Sequence, residues 1–185
     1  MEITAVVVSA WAIWLTTTRN SLCWPIGIAS VVLYTVVFYR ARLYSDCLLQ
    51  ILYAAFNAYG WWVWLRAPKA EGKPKVLRPR TRNALGHLLA GGAGAAVLGA
   101  LMAHFTDAAV PWLDASLTAF SLVAQYWMAR LYAINWLLWI TVDVVYIGLY
   151  VQRDLAPTGA LYAGFVVLAI LGWRRWQAAA TESVR

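Results

Sequence analysis

The stretch WPIGIASVVLYTVVFYRARLYSDCLLQILYAAFNAYGWWVW, Trp24 to Trp64, has a counterpart downstream in WLLWITVDVVYIGLYVQRDLAPTGALYAGFVVLAILGWRRW, Trp136 to Trp176. One offset of 112 residues carries Trp24 to Trp136, Trp61 to Trp173 and Trp64 to Trp176. It also carries Tyr34 to Tyr146, Gly60 to Gly172, Ser9 to Ser121, Ile28 to Ile140 and Leu43 to Leu155. Without a gap it relates residues 3–65 to residues 115–177. Three tryptophan matches at one offset mark an internal duplication even in a chain with 12 tryptophans. A duplicated unit in a membrane protein usually brackets a substrate path, so the repeat points to a transporter.

Composition sets the solvent. The 185 residues are 63% hydrophobic and 12% charged, with mean hydropathy +0.63, outside the range of soluble domains. A spanning helix needs about 20 largely apolar residues to cross about 30 Å of hydrocarbon. Such segments fall at 3–18, 24–39, 43–65, 84–105, 113–129, 133–150 and 156–176, which makes seven. The start, MEITAVVVSAW, has no basic n-region, so a cleaved signal peptide is not expected.

The net charge of +7 is explained by topology rather than by nucleic acid. Arg66, Lys69, Lys73, Lys75, Arg78, Arg80 and Arg82 share one loop. Seven crossings put that loop on the same side as Arg19, Arg130, Arg174, Arg175 and Arg185, so twelve of the fifteen basic residues gather there. Arg40, Arg42 and Arg153 face the other side with Glu2, Asp107, Asp114 and Asp154. The positive-inside rule therefore places the N-terminus outside and the C-terminus in the cytoplasm.

An odd helix number follows from the repeat. Three helices end on the membrane face opposite their start, so a second copy in the same orientation needs one extra crossing. Segment 84–105 supplies it, and its Gly91, Ala95 and Gly99 form a small-residue row suited to close packing against the repeats. The expected fold is all-α: seven transmembrane helices in a 3+1+3 arrangement, two parallel triple-helix bundles plus a linker helix. In residues, this gives a first repeat at 1–65, a basic cytoplasmic loop at 66–83, the linker helix at 84–105, a second repeat at 113–177 and a cytoplasmic tail at 178–185.

Polar groups in hydrocarbon cost free energy unless they are paired or face a cavity. In the third span Asp46, Gln50, Tyr53, Asn57, Trp61 and Trp64 recur at steps of three and four, one helical stripe. In the sixth, Asn135, Trp139, Asp143, Tyr146 and Tyr150 do the same, and Gln125 and Tyr126 lie in the fifth. Singly, each residue fits a packing seam as well as a binding face. Together the stripes suit a flat aromatic ligand rich in hydroxyls or amines, because indole faces stack on rings and favour cations while carboxamides pair with hydroxyls. The candidate contacts are Trp14, Trp24, Gln50, Tyr53, Asn57, Gln125, Tyr126, Trp136, Trp139 and Asp143. Trp11 and Trp112 read as interfacial anchors, and Pro25 and Gly27 as bending points in the second span. Cys23 and Cys47 lie at opposite ends of neighbouring spans, and neither is spaced from a His like a metal-ligand pair. His87 and His104 read as interfacial residues, so no metal or cofactor is implied. GxxxxGK[ST] is absent, as are HExxH and facing paired carboxylates, which weighs against an ATP-driven pump and an intramembrane enzyme.

At these residues the sequence resembles the PnuC family of bacterial vitamin transporters. The likeness lies in the LLQ and YGWW elements of Trp24 to Trp64, and in Met128, Arg130 and NWLLW (Asn135 to Trp139) within Asp114 to Tyr150. It implies a 3+1+3 fold related to the SWEET sugar transporters and a homotrimer in the bacterial inner membrane. The implied function is energy-independent uptake of a B-type vitamin lacking phosphate, usually nicotinamide riboside, with trapping by a cytoplasmic kinase. Relatives carrying thiamine or riboflavin keep those substrates open. A substrate-capture subunit of an energised transporter and a SWEET-type sugar facilitator are the rival readings. The charge asymmetry gives the first prediction. A cysteine at Lys73, with Cys23 and Cys47 replaced, should resist an impermeant thiol reagent in intact cells; ready labelling from outside would reverse the assigned orientation.

Overall fold

A computed structural model of the chain describes all residues except 1, 41–43, 71, 108, 153–155 and 183–185. Helices α1 (Glu2–Thr17), α2 (Cys23–Arg40) and α3 (Tyr44–Arg66) form the first bundle, and α4 (Thr81–Phe105) makes the extra crossing. Helices α5 (Pro111–Ala129), α6 (Asn135–Gln152) and α7 (Ala156–Glu182) form the second. Among the described residues only α4 combines the length and apolarity of a free-standing span; the repeat helices spend part of their hydropathy on inward polar residues. Helix α7 continues through Glu182, where a tail from 178 was expected. Arg42, Leu43, Arg153, Asp154, Leu155 and Arg185 lie outside the described residues, as do the side chains of Glu2, Asp46 and Cys47.

The duplication is visible in the backbone. Helices α1 and α5 each stop at a residue with positive φ, Arg19 at 58° and Leu131 at 59°, which are 112 positions apart. A left-handed residue other than glycine costs about 1–2 kcal/mol, so both repeats tolerate the same strain to turn sharply into the next helix. The hydrogen bonds match as well. Asn20 N donates to Leu15 O and Cys23 N to Asn20 O, as Tyr132 N does to Trp127 O and Asn135 N to Tyr132 O. Pro25 sits in the first turn of α2, where no intrahelical N–H is lost, so it starts the helix rather than bending it.

Each bundle packs its second helix on its third through a tryptophan. A Cβ at Gly60 would strike the Trp24 ring, and one at Gly172 would lie 2.5 Å from Trp136. The bundles then meet across a pseudo-two-fold axis, α1 on α7 and α3 on α5. Trp24, Trp64, Trp176 and Trp136 form one row across that axis, with centroids 5.3, 5.8 and 5.6 Å apart. All four are buried. Two indole hydrogen bonds lock the row: Trp64 Nε1 donates to Met128 O at 3.2 Å and Trp176 Nε1 to Thr16 O at 3.1 Å. Donors and acceptors are again 112 apart, so each repeat holds the other by the same contact.

Helix α4 packs on α5, burying Gly91, Ala95 and Gly99 as the small-residue row predicts. Its His87 is half-buried and accepts a hydrogen bond from Trp127 Nε1 at Nδ1, 3.0 Å away, so it joins α4 to α5 instead of simply marking an interface. The basic loop carries more structure than its composition forecast. Strands β1 (Lys69–Ala70) and β2 (Lys73–Pro74) pair as a hairpin turning at Gly72, φ 75°. Val76 then enters the core, and Leu77 exchanges backbone hydrogen bonds with Leu131 and Ala133. Arg19 Nη1 donates to Pro74 O at 3.2 Å, so the loop is tied to the α1–α2 turn and to its repeat mate.

The tryptophan packing sets a stability test. Gly60→Ala and Gly172→Ala should each destabilise the ligand-free protein by about 1–3 kcal/mol through overpacking. Gly148→Ala, where an added Cβ meets open space, should be neutral or stabilising. Thermal unfolding in detergent separates these outcomes.

Candidate functional site

Between the tryptophan row and the opposite end of the bundles lies a cavity of about 300 Å³, walled by all six repeat helices. Trp24 and Trp136 form its floor, and beyond it stands a cluster of tyrosines. Tyr146, Tyr150 and Tyr162 lie with centroids 5.9, 4.9 and 5.2 Å apart, and Tyr146 and Tyr162 reach the lining.

Lining residues pair by repeat, and the pairs differ in chemistry. Ser9 matches Ser121 and Trp24 matches Trp136. Elsewhere one repeat supplies a polar or aromatic group where the other has an inert one. Asn57 stands against Ala169, Tyr53 against Phe165, Gln125 against Ile13, Asp143 against Val31 and Trp139 against Gly27. The scaffold is two-fold, but the site is not.

Local contacts set these groups. Asn57 Nδ2 donates to Tyr53 O at 2.8 Å, one turn back on α3. Its Oδ1 faces α2 at Gly27, where a Cβ would come within 2.6 Å. Glycine at 27 therefore makes room for the carboxamide and opens the wall opposite Trp139. Tyr53 hydrogen-bonds Ser121 across the repeats, while Ser9 bonds Ser30 at 2.6 Å within its own. The indole N–H groups of Trp24, Trp136 and Trp139 are buried and make no hydrogen bond among the described residues. A buried donor left so costs about 1–3 kcal/mol, which a ligand oxygen can recover.

Seven of the ten expected contacts line the cavity: Trp24, Tyr53, Asn57, Gln125, Trp136, Trp139 and Asp143. Three do not. Trp14 is 47% exposed on the outer face of α1. Tyr126 stacks on Tyr59, centroids 6.4 Å apart, and meets His87 edge-on at 5.1 Å. Gln50 lies a turn before Tyr53 and misses the lining, although its repeat mate Tyr162 reaches it. Ser9, Ser30, Ser121 and Tyr162 were missed by the stripes; only the Ser9–Ser121 match signalled any of them. No Lys, Arg or His is among the described lining residues. The cavity can therefore stack a flat ring, hydrogen-bond hydroxyls and favour a cation, but it offers a phosphate no positive partner.

Comparison with known proteins follows this geometry. The profile of a family described as "Nicotinamide mononucleotide transporter" matches residues 1–178. The nicotinamide riboside transporter PnuC of Escherichia coli is 26% identical over 181 residues, spanning 84% of this chain and 76% of that protein. The riboflavin/roseoflavin transporter RibM of Streptomyces davaonensis is 30% identical over 162 residues, spanning 85% and 75%. A crystal structure of the vitamin B3 transporter PnuC superposes with a TM-score of 0.78 at 24% identity, over 96% of this chain and 80% of that one. That likeness establishes the fold.

Proposed function

This chain belongs to the nicotinamide mononucleotide transporter family, and from that premise we propose that it carries nicotinamide riboside, not the mononucleotide, across the membrane. It is a multi-pass helical transporter of the bacterial inner membrane and not an enzyme. The observation that carries the substrate reading is the charge of the cavity. Asp143 and aromatic walls suit the positively charged pyridinium ring, and Asn57, Gln125, Tyr53 and the unpartnered indole N–H groups suit ribose hydroxyls and the carboxamide. A phosphate dianion would enter with no basic side chain among the described lining residues to receive it. The volume of about 300 Å³ lies at the low end for small-molecule sites and favours a riboside with one aromatic ring over a flavin with three fused rings. Thiamine, also a cationic aromatic, is the second reading on the same grounds.

The mechanism we infer is facilitated diffusion by alternating access. The tryptophan row closes the end of the cavity nearest the basic loop, and rocking of the bundles about the two-fold axis breaks its two indole bonds to open that end. With the N-terminus outside, that end faces the cytoplasm. Net uptake then depends on phosphorylation by a cytoplasmic kinase that need not touch the transporter. The assembly is a homotrimer, as in the family the sequence resembles.

Two measurements test this reading. The purified protein in liposomes should exchange nicotinamide riboside with no ion gradient; a strict need for a proton or sodium gradient overturns the facilitator, and failure to move substrate without a partner protein favours a capture subunit. By calorimetry, Asn57→Leu and Trp139→Ala should each weaken binding about tenfold or more, with the ligand-free melting temperature little changed. Gln50→Leu should bind as the parent does, and the mononucleotide should bind at least about tenfold more weakly than the riboside. Collapse of ligand-free stability with normal binding by the folded remainder would make the stripes packing seams.

A further inference from the structure

A second cavity lies on the basic-loop face, just beyond the tryptophan row. Thr17, Thr18 and Arg19 of the α1–α2 turn, Lys73 of the hairpin and Arg175 of α7 line it, closed by Ala178 and Ala179. Arg175 Nη1 donates to Thr17 Oγ1 at 2.7 Å, beside the Trp176 bond to Thr16 O. Arg19 is oriented by its bond to Pro74 O. Three cations, from the first repeat, the loop and the second repeat, thus line one space. Retention of this face by the positive-inside rule accounts for how many basic residues it holds. It does not account for Arg19, Lys73 and Arg175 lining one cavity that joins both repeats and the loop.

The repeat supplies an internal control. The sister seam between α3 and α5 is built by the same backbone turn and the same indole bond. There Val63 replaces Arg175, Ala129 replaces Thr17 and Leu131 replaces Arg19, while Arg130 stands at the place of Thr18 and Arg66 at that of Ala178. The seam therefore forms without Arg175, Thr17 or Arg19 at these places, so packing alone does not require Arg19 and Arg175 to line one cavity with Lys73. Two guanidinium groups and an ammonium are the donor set of a phosphate site, while the Thr17 and Thr18 hydroxyls donate to Trp14 O and Leu15 O.

We propose that this basic cavity binds a phosphate-bearing anion, a lipid headgroup or a free phosphate, that bridges the two repeats across the α1–α7 seam. An anion held by Arg19, Lys73 and Arg175 together ties the first bundle, the loop and the second bundle. It therefore favours the state in which the tryptophan row is closed.

The test reads binding first, so it does not depend on which substrate is carried. Thermal unfolding of the full-length protein is followed in neutral detergent with inorganic phosphate, against chloride at equal ionic strength. It is repeated in phosphatidylcholine vesicles with and without phosphatidylglycerol. The unfolding temperature should rise with phosphate, with phosphatidylglycerol, or with both, and the responding arm identifies the source. Arg19→Gln/Arg175→Gln should abolish the rise; a general salting-out effect of phosphate would survive it. Should the double variant fail to fold, Lys73→Gln, at an exposed hairpin position, should still weaken the response about tenfold. A rise absent from both arms, or one that persists undiminished in the variants, overturns the proposal. In liposomes the responding anion on the loop side should slow riboside exchange several-fold in the parent and not in the variants; unchanged exchange by the parent would overturn the bridging role while the unfolding data decide the site.

Discussion

Two indole N–H groups, each taking the second lone pair of a carbonyl in the last turn of a helix from the other repeat, set the geometry on which the molecule depends. Thr16 O and Met128 O already accept a backbone N–H from the tight turns at Arg19 and Leu131. Trp176 and Trp64 add the cross-repeat bond. Because the same contact runs in both directions, the two bundles share one register about one axis. The consequences extend outward. The row needs Gly60 and Gly172 beneath Trp24 and Trp136, since no side chain fits there. It also needs two sharp turns, which both repeats make at the cost of a left-handed residue. A large apolar plug at one end of a bundle then leaves room for polar groups only above it.

The same duplication separates support from site. Residues identical at the offset of 112, such as the four buried tryptophans and the two packing glycines, build the frame. Residues that break the match build the ligand wall: Asn57 against Ala169, Gln125 against Ile13, Asp143 against Val31, Trp139 against Gly27. A ligand with no two-fold symmetry of its own cannot be bound by a symmetric wall without leaving half of its polar groups unmatched. Divergence of the lining is therefore expected once a frame has been duplicated around one asymmetric molecule, and the basic cavity beside α7 follows the same pattern outside the substrate path.

Much of this was legible before any coordinates. Hydropathy located all seven helices, since a span of lipid fixes their length, and the offset gave the parallel repeats. Helical stripes placed Tyr53, Asn57, Trp139 and Asp143 on inward faces. A stripe fixes direction but not reach: Gln50 shares the stripe of Asn57 yet misses the lining, while Tyr162, at the like position in the second bundle, extends to it. Trp14 is the repeat mate of Tyr126, but a shared offset says only that two residues occupy like positions in two bundles. Trp14 is exposed and Tyr126 stacks on Tyr59, and neither lines the cavity. The hairpin in the basic loop had no periodic signal at all. Its order comes from Val76 entering the core and Leu77 pairing with a turn more than fifty residues away, contacts that local composition cannot register.

Charge divides the two cavities in a way that bears on direction. A facilitator without a coupled ion moves substrate only down its gradient, so uptake needs a chemical change that stops the product from returning. Adding a phosphate does this on the proposed reading, because the cavity sets a carboxylate and aromatic walls, with no basic side chain among its described residues, against the incoming dianion. The loop face carries the opposite charge, with Arg19, Lys73 and Arg175 around the second cavity. On these two proposals retention and closure answer to the same chemistry: a phosphate on the product bars return through the path, and a lipid headgroup or free phosphate at the loop face holds the path shut.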